Sequence, residues 1–322
     1  MIVDDFHATT SDGWRLHVKR TRRASGVDRS RRPLLIVPGY GMNGFIFGFH
    51  PRGTSLEGYL AGEGIEVWTA NLRGQGRSER TRKDAPGPTM ERYAHEDVKA
   101  VLDLVQAHSE AAAERIDVLG ASLGGSITFA HLSRPAARAR IATVIAVGSP
   151  LRWEHVPLFL RVPFASRRIA GLVRVSGARR LAQTVLPLVK HAPFALSVYM
   201  NASHVDLDAA SELVRTVEDP HPAVNRDLAG WMKARDLVVS DVNVTEAMRE
   251  VRAPLLLVVA NEDGIVPEVV ATSAARVWGG RDVTTLRIGT PDDWYAHADL
   301  FVGHASPEVV FAPIERWLRE RG

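Results

Sequence analysis

Apolar positions along the chain fall into short runs set between segments of helical period. Leu34-Leu35-Ile36-Val37, Ile65 to Ala70, Ile116 to Leu119, Ile141 to Val147, Leu255 to Ala260 and Val283 to Ile288 are the short runs. All six read as strands, and the wholly apolar Leu34 to Val37 is expected of one buried on both faces of a parallel sheet. Phe6 to Thr10 and Trp14 to Arg20 read as two further strands joined by the turn Ser11-Asp12-Gly13. Between them all lie helical patterns: Leu56 to Gly62, Ala94 to Ala107 with a 3.6-residue period, Ile127 to Leu132, and a closing helix from Pro307 to Arg319. The Arg/Ser-rich connector Arg22 to Arg32 reads as an exposed loop. Alternating strands and helices predict an α/β protein with a mostly parallel sheet, whose functional residues collect beyond the C-terminal ends of the strands.

The alternation stops between Leu151 and about Arg252, where strand character is confined to Leu237-Val238-Val239. Val162-Pro163 and Leu172 to Val189 suggest short helices broken by Pro and Gly. The expectation is a catalytic core made of residues 1–150 and 253–322, with residues 151–252 inserted as a helical lid. Charge sets this interval apart. Residues 151–200 carry Arg152, Arg161, Arg167, Arg168, Arg174, Arg179, Arg180 and Lys190 against Glu154 alone, a net +7, and residues 201–250 carry −5. The basic half interleaves these charges with Val162, Phe164, Ile169, Leu172, Val173 and Val175, a basic amphipathic pattern. For a chain of this composition the expected outcome is that the apolar face packs on the catalytic core. Attraction to anionic vesicles is then weak and salt-sensitive, without stable membrane anchoring.

Composition narrows the function classes. The 322 residues have 45% hydrophobic content, a net charge of +3 and no cysteine. Disulfides, thiolate metal sites and a cysteine nucleophile are excluded. No stretch approaches the ~20 apolar residues of a membrane span, and Met1 to Arg20 lacks the continuous apolar core of a secretory signal. A cytoplasmic location is the expectation. Nothing points to nucleic acid as a partner, and oligomeric state is not legible.

Candidate chemistry begins at Gly120-Ala121-Ser122-Leu123-Gly124, a G-x-S-x-G sequence between an apolar strand and an apolar helix. Only small neighbours allow a turn so tight that the hydroxyl of Ser122 emerges into a cleft. The same turn leaves the Leu123 N–H at a helix N-terminus, aimed where an oxyanion would form. A serine nucleophile needs a base and an acid that orients it. Asp263 stands at the mouth of the strand Leu255 to Ala260, with Glu262 as the reserve. After the last strand come His297 and His304, and the nearer position favours His297 as base. The loop Pro38 to Gly44 has three glycines suited to close backbone approach, and the Tyr40 N–H is the candidate second oxyanion donor. Phe45, Phe47 and Phe49 line either an acyl pocket or the core. Gly74-Gln75-Gly76-Arg77 lacks the third glycine of a dinucleotide site. His95, Asp97 and His131 do not have metal-ligand spacing.

These residues resemble the α/β-hydrolase superfamily over nearly the whole chain outside the lid. The resemblance rests on Pro38-Gly39-Tyr40-Gly41, Asn71 to Ser78, Gly120 to Gly124, Asp263 to Pro267 and His297-Ala298-Asp299-Leu300. It implies an eight-stranded, mostly parallel sheet with a cap after strand six, and it matches Asp263 and His297 to the triad acid and base. Within the superfamily the chain is similar to microbial lipases and esterases. The stretch from Asp241 to Leu255 also resembles polyester (polyhydroxyalkanoate) synthases, which carry cysteine where this chain has Ser122. The usual His-Gly before the oxyanion loop is Pro38-Gly39 here.

The functional expectation is a serine hydrolase of carboxylic esters working through Ser122, His297 and Asp263, with no metal or organic cofactor. Trp153, Phe159, Leu160, Phe164 and Phe194 in the lid suggest a small-molecule ester with an apolar acyl group. Phe45, Trp153, Phe159 and His204 are the candidate substrate-binding residues. An acyltransferase or thioesterase with the same triad is the alternative, and a non-catalytic binding module on the same fold is the third reading.

Overall fold

The computed structural model describes residues 1–111, 113–172, 177–189 and 196–322, with the side chains of 185–189, 210 and 211 left aside. Val173, Arg174, Val175, Lys190 and Phe194 of the lid reading therefore lie outside the described residues.

Eight strands form the main sheet: β1 (Ile2–Thr9), β2 (Trp14–Arg22), β3 (Leu34–Val37), β4 (Val67–Ala70), β5 (Ile116–Ala121), β6 (Ile141–Val147), β7 (Leu255–Ala260) and β8 (Val283–Ile288). Their spatial order is β1-β2-β4-β3-β5-β6-β7-β8, and a two-residue strand, Glu79–Arg80, pairs with β2 as a ninth. β1 and β2 run antiparallel to their neighbours, and every pairing from β4 across to β8 is parallel.

The period-two pleat divides each apolar run between two cores. Leu35 and Val37 of β3, Val118 of β5 and Leu257 of β7 face a layer containing Val98, Val101, Leu102, Ile127 and Phe129. Leu34, Ile36, Leu119 and Leu256 face the opposite layer with Leu56, Leu60, Phe311 and Ile314. Helices therefore cover both faces, namely α1 (Leu56–Gly62), α2 (Val98–His108), α3 (Leu123–Leu132) and the closing Ala312–Arg319. The helical pattern expected from Ala94 begins earlier, at Met90, and passes through a π-type turn at Tyr93–Asp97.

The segment between β6 and β7 is mainly helical: α4 (Leu158–Arg161), α5 (Arg167–Leu172), α6 (Ala178–Val189) and α7 (Pro222–Ala234). It shares the cores of the sheet. Val224, Leu228, Trp231, Leu237 and Met248 join the first layer, and Met200, Val205 and Leu213 join the second. The expected packing of its basic amphipathic half holds at Phe164, which packs against the first layer, and fails at its other described apolar residues. Leu158, Val162, Ile169 and Leu172 are 74%, 76%, 49% and 81% exposed. The reason is local. α5 meets α7 through its small residues, with Ala170 fully buried and Gly171 against the Arg226 side chain. A six-residue helix that buries its small side must turn its large apolar side outward. Among the described residues no helix is long and apolar enough to cross a membrane.

The connector Arg22 to Arg32 is a loop but not a free one, because Arg31 pairs with Glu315 at 2.7 Å and Arg32 with Asp117 at 3.0 Å.

Candidate active site

Ser122 sits between the end of β5 and the first turn of α3 with φ 53° and ψ −124°, a left-handed conformation rare for a residue with a side chain. The surroundings enforce it. A Cβ on Gly124 would overlap the Val37 carbonyl, and one on Gly120 would overlap the Gly125 backbone. Only glycines let β3, β5 and α3 close this tightly, and the closure forces the chain to turn at Ser122.

Acid and base approach the same edge of the sheet from β7 and β8. Asp263 follows β7, and its Oδ1 accepts from the backbone N–H groups of Ile265 and Val266 at 2.9 and 2.8 Å. Its other oxygen, Oδ2, lies 2.6 Å from His297 Nδ1, and both side chains are buried. Ser122 N–H donates to Val147 O, and Gly148 N–H donates to Val258 O. The end of β6 thus lies between the serine and the acid. A carbon added at Gly148 would stand 3.0 Å from His297 Cε1 and 3.4 Å from Asp263 Oδ2, so the pair rests on this one residue.

His297 is held by its loop. Asp299, fully buried, accepts from the Ala296 N–H at 2.7 Å and from the Asn201 N–H at 2.9 Å through Oδ2. The Ala298 N–H donates to Tyr199 O, and the Tyr199 ring lies 6.1 Å from the imidazole. Burial raises the Asp299 carboxyl to about 7 against the opposing pull of those N–H bonds, and burial likewise raises the Tyr199 phenol to about 12.

The loop after β3 lies on the serine turn, since a carbon added at Gly39 would stand 2.9 Å from Ser122 Cβ. Tyr40 follows, and its hydroxyl donates to Asn225 of α7 at 2.6 Å. Asn43 Oδ1 caps the Phe45 N–H, and Asn43 Nδ2 donates to the Arg215 carbonyl at 2.9 Å. Beneath, the segment Asn71 to Ser78 is anchored by Arg73, fully buried, which bonds Asp97 and Asp12 at 2.7 Å each.

A cavity of about 460 Å³ opens beside Tyr40 and Leu123, with Trp14, Gln75, Tyr93 and Val224 among its walls. Ser122 and His297 are not among its lining residues.

The remaining candidates sit elsewhere. His304 is exposed, and its N–H donates to the His204 carbonyl. Glu262 is exposed beside the buried Asp263. Phe45 stacks on Phe49 at 5.3 Å beneath the Arg215 guanidinium and lines a separate cavity with Lys19 and Arg77. Phe47 belongs to the core. Trp153 is a core residue, edge-on to Trp231 at 5.8 Å. Phe159 is 45% exposed on α4. His204 pairs with Asp293 at 2.7 Å and packs against Tyr295 with its ring tilted. His131 Nδ1 bonds the Ala94 carbonyl, and burial lowers both His131 and His95 to about 4. Among the described residues no group of three or more His, Asp or Glu side chains is arranged to hold a metal. Sequence reasoning assigned no role to Asp299, Asn201, Gly148 or Asn225. Asp299 had the clearest signal, an acid two residues from the candidate base.

A mostly parallel sheet with a strained serine after its fifth strand and a buried Asp–His pair beyond its last two defines an α/β hydrolase. The family model for Serine aminopeptidase, S33 matches residues 52–288, and the chain belongs to that family of hydrolases. A search of curated proteins gives no match. Among solved structures the chain is similar to a thermophilic esterase from Thermogutta terrifontis, with 20% identity over 99% of both chains and a TM-score of 0.66. It is also similar to a soluble variant of monoglyceride lipase from Saccharomyces cerevisiae, at 14% identity over 100% and 95% of the two chains, TM-score 0.66. An esterase from Rhodococcus is a third, at 17% identity over 99% of both chains, TM-score 0.63. At these identities the likeness is one of fold.

Proposed function

We propose that the protein hydrolyses carboxylic esters of small molecules through Ser122, His297 and Asp263. The observation that carries this reading is the buried His297–Asp263 contact of 2.6 Å set across the end of β6 from the strained Ser122. Asp263 accepts the proton on Nδ1, which leaves Nε2 as the base. Ser122 Oγ attacks the ester carbonyl while its proton passes to His297 Nε2. The N–H groups of Leu123 and Tyr40 receive the developing oxyanion. The carbonyl re-forms, the alcohol leaves with the proton from Nε2, and water attacks the acyl-enzyme by the same route to release the acid.

The acyl group enters the cavity beside Tyr40 and Leu123, where Trp14, Tyr93 and Val224 supply apolar wall. Segment 151–252 acts as the cap over this cleft, through Tyr40–Asn225 and the contacts of residues 199–201 with the His297 loop. The test is covalent labelling by a fluorophosphonate together with turnover of short p-nitrophenyl esters and of acyl-CoA. Labelling and ester turnover that vanish in Ser122→Ala are expected. Preferred acyl-CoA turnover would replace the reading with a thioesterase or acyltransferase, and a folded protein that takes no label is not a serine hydrolase.

A further inference from the structure

Residues 155–205 contain Arg161, Arg167, Arg168, Arg174, Arg179, Arg180 and Lys190 and not one Asp or Glu. Within this stretch α4, its C-terminal cap Val162 and α5 expose Leu158, Val162, Ile169 and Leu172, between about half and four-fifths of each residue. Exposed large apolar residues scattered singly need no explanation, but four within fifteen residues on two adjoining short helices do. Their charged neighbours are also unspent. Among the described residues, Arg161, Arg168 and Arg180 have no carboxylate partner, while Arg167 and Arg179 pair with Asp227 and Glu218.

We infer that α4 and α5 form a surface that docks reversibly on an anionic lipid bilayer, inserting Leu158, Val162, Ile169 and Leu172 below the headgroups while the arginines meet lipid phosphates. The choice of occupant rests on charge. Among the described residues, Arg161 on α4 and Arg168 on α5 stand without a carboxylate partner, in a run of fifty-one residues that contributes no anion of its own, and such a face suits a uniformly negative surface. A second copy of this chain would instead bring the same cations face to face across a symmetric contact. Neither apolar insertion nor charge suffices alone, since insertion from two short helices is shallow and surface charge is screened by salt. Docking is therefore reversible and needs both. The surface does not depend on the ester-hydrolase reading, because no residue in it belongs to the Ser122, His297 and Asp263 constellation.

The test is sedimentation of the full chain with vesicles of phosphatidylcholine alone and with three-tenths phosphatidylglycerol, at low and at 0.5 M salt. Partition onto the anionic vesicles is expected to exceed that onto neutral ones by about tenfold or more, each basic residue at the surface being worth about fivefold. It should fall with salt as the screening length shortens to ~4 Å. Arg161→Glu/Arg168→Glu and, separately, Leu158→Gln/Val162→Gln/Ile169→Gln/Leu172→Gln should each abolish the preference. Both should retain the parental circular dichroism and phosphonate labelling. Equal partition onto the two vesicle types, or anionic binding unchanged in either variant, would overturn the proposal. So would light scattering that shows a dimer dissolved by the apolar variant, which would give the face to a second copy.

Discussion

The Tyr40 hydroxyl donates to Asn225 Oδ1 at 2.6 Å, a bond that joins the loop after β3 to the helix Pro222–Ala234. Burial raises the Tyr40 phenol to about 12, so it remains a donor throughout the working range. The residue whose backbone N–H is proposed to receive the oxyanion is thus braced from the inserted segment by its own side chain. Tyr40→Phe keeps the N–H and removes the brace. The expected loss is about 1 kcal/mol in denaturant unfolding, typical of one buried hydrogen bond. Turnover should drop by roughly tenfold as the donor loses its fixed position. Parental kcat in a destabilised Tyr40→Phe would mean that the brace serves folding alone.

His297→Ala should reduce ester turnover by on the order of 10⁴-fold or more, and His304→Ala should leave it near parental. The contrast follows from placement, since His297 is buried against Asp263 and His304 is exposed. Asp263→Asn should fold normally and lose about 10⁴-fold, because the amide presents the wrong partner to Nδ1. Retained activity in Asp263→Asn would transfer the role to another acid, Glu262 first.

Gly148 has φ +54°, and a Cβ there would come 3.0 Å from His297 Cε1. Gly148→Ala therefore combines a left-handed penalty of about 1 kcal/mol with a push on the imidazole. A lowered melting temperature is expected, with phosphonate labelling slowed by roughly tenfold to a hundredfold. A lowered melting temperature with unchanged labelling would show that the ring yields without consequence.

Asp299 makes the protein sensitive to pH in an unusual direction. Its folded carboxyl sits near 7, above the ordinary carboxylate value of 3.8. Between these values the folded state binds more protons than the unfolded one, so this group's contribution to stability grows as pH falls from 7 toward 4. Above 7 the buried charge opposes folding. Asp299→Asn can keep the acceptor for the Ala296 and Asn201 N–H groups and removes the charge. The variant should exceed the parent in stability at pH 8, with the gap closing on the order of 1 kcal/mol per pH unit below 7. A gap that stays constant from pH 4 to 8 would place the Asp299 titration outside this window.

Much of the fold was legible because buried parallel strands leave a plain trace. Leu34–Val37, Ile141–Val147 and Leu255–Ala260, buried throughout, have the limits that their apolar runs suggest, and the partly exposed edge strand Val283–Ile288 also keeps its expected limits. The helix after Thr89 was read too short because its first turns hold Glu91, Arg92 and the π-type turn, which break the 3.6-residue period. Ser122 was legible because the crowding at Gly120 and Gly124 must be written in glycine. Trp153 stays ambiguous in sequence because an aromatic in a helical insertion can serve both sides, and its ring both packs edge-on against Trp231 and lines a separate cavity with Leu160 and Phe164. The outward face of α5 was missed for a related reason. Periodicity reports that Ile169 and Leu172 share a side, and only the packing of Ala170 and Gly171 on α7 decides which side is inward. Asp299 and Asn201 stand 98 residues apart in sequence, and no local pattern joins them.

The bonds from Asn201 to Asp299 and from Ala298 to Tyr199 make one mechanical unit of the His297 loop and the inserted segment. The histidine is then less a fixed part of the sheet than a pawl on a lever supplied by the segment between β6 and β7. Its aim is set wherever residues 199–201 are set. Chains that lengthen or shorten the segment ahead of Tyr199 would re-aim His297, the proposed base, without touching Ser122, Asp263 or any strand beneath them.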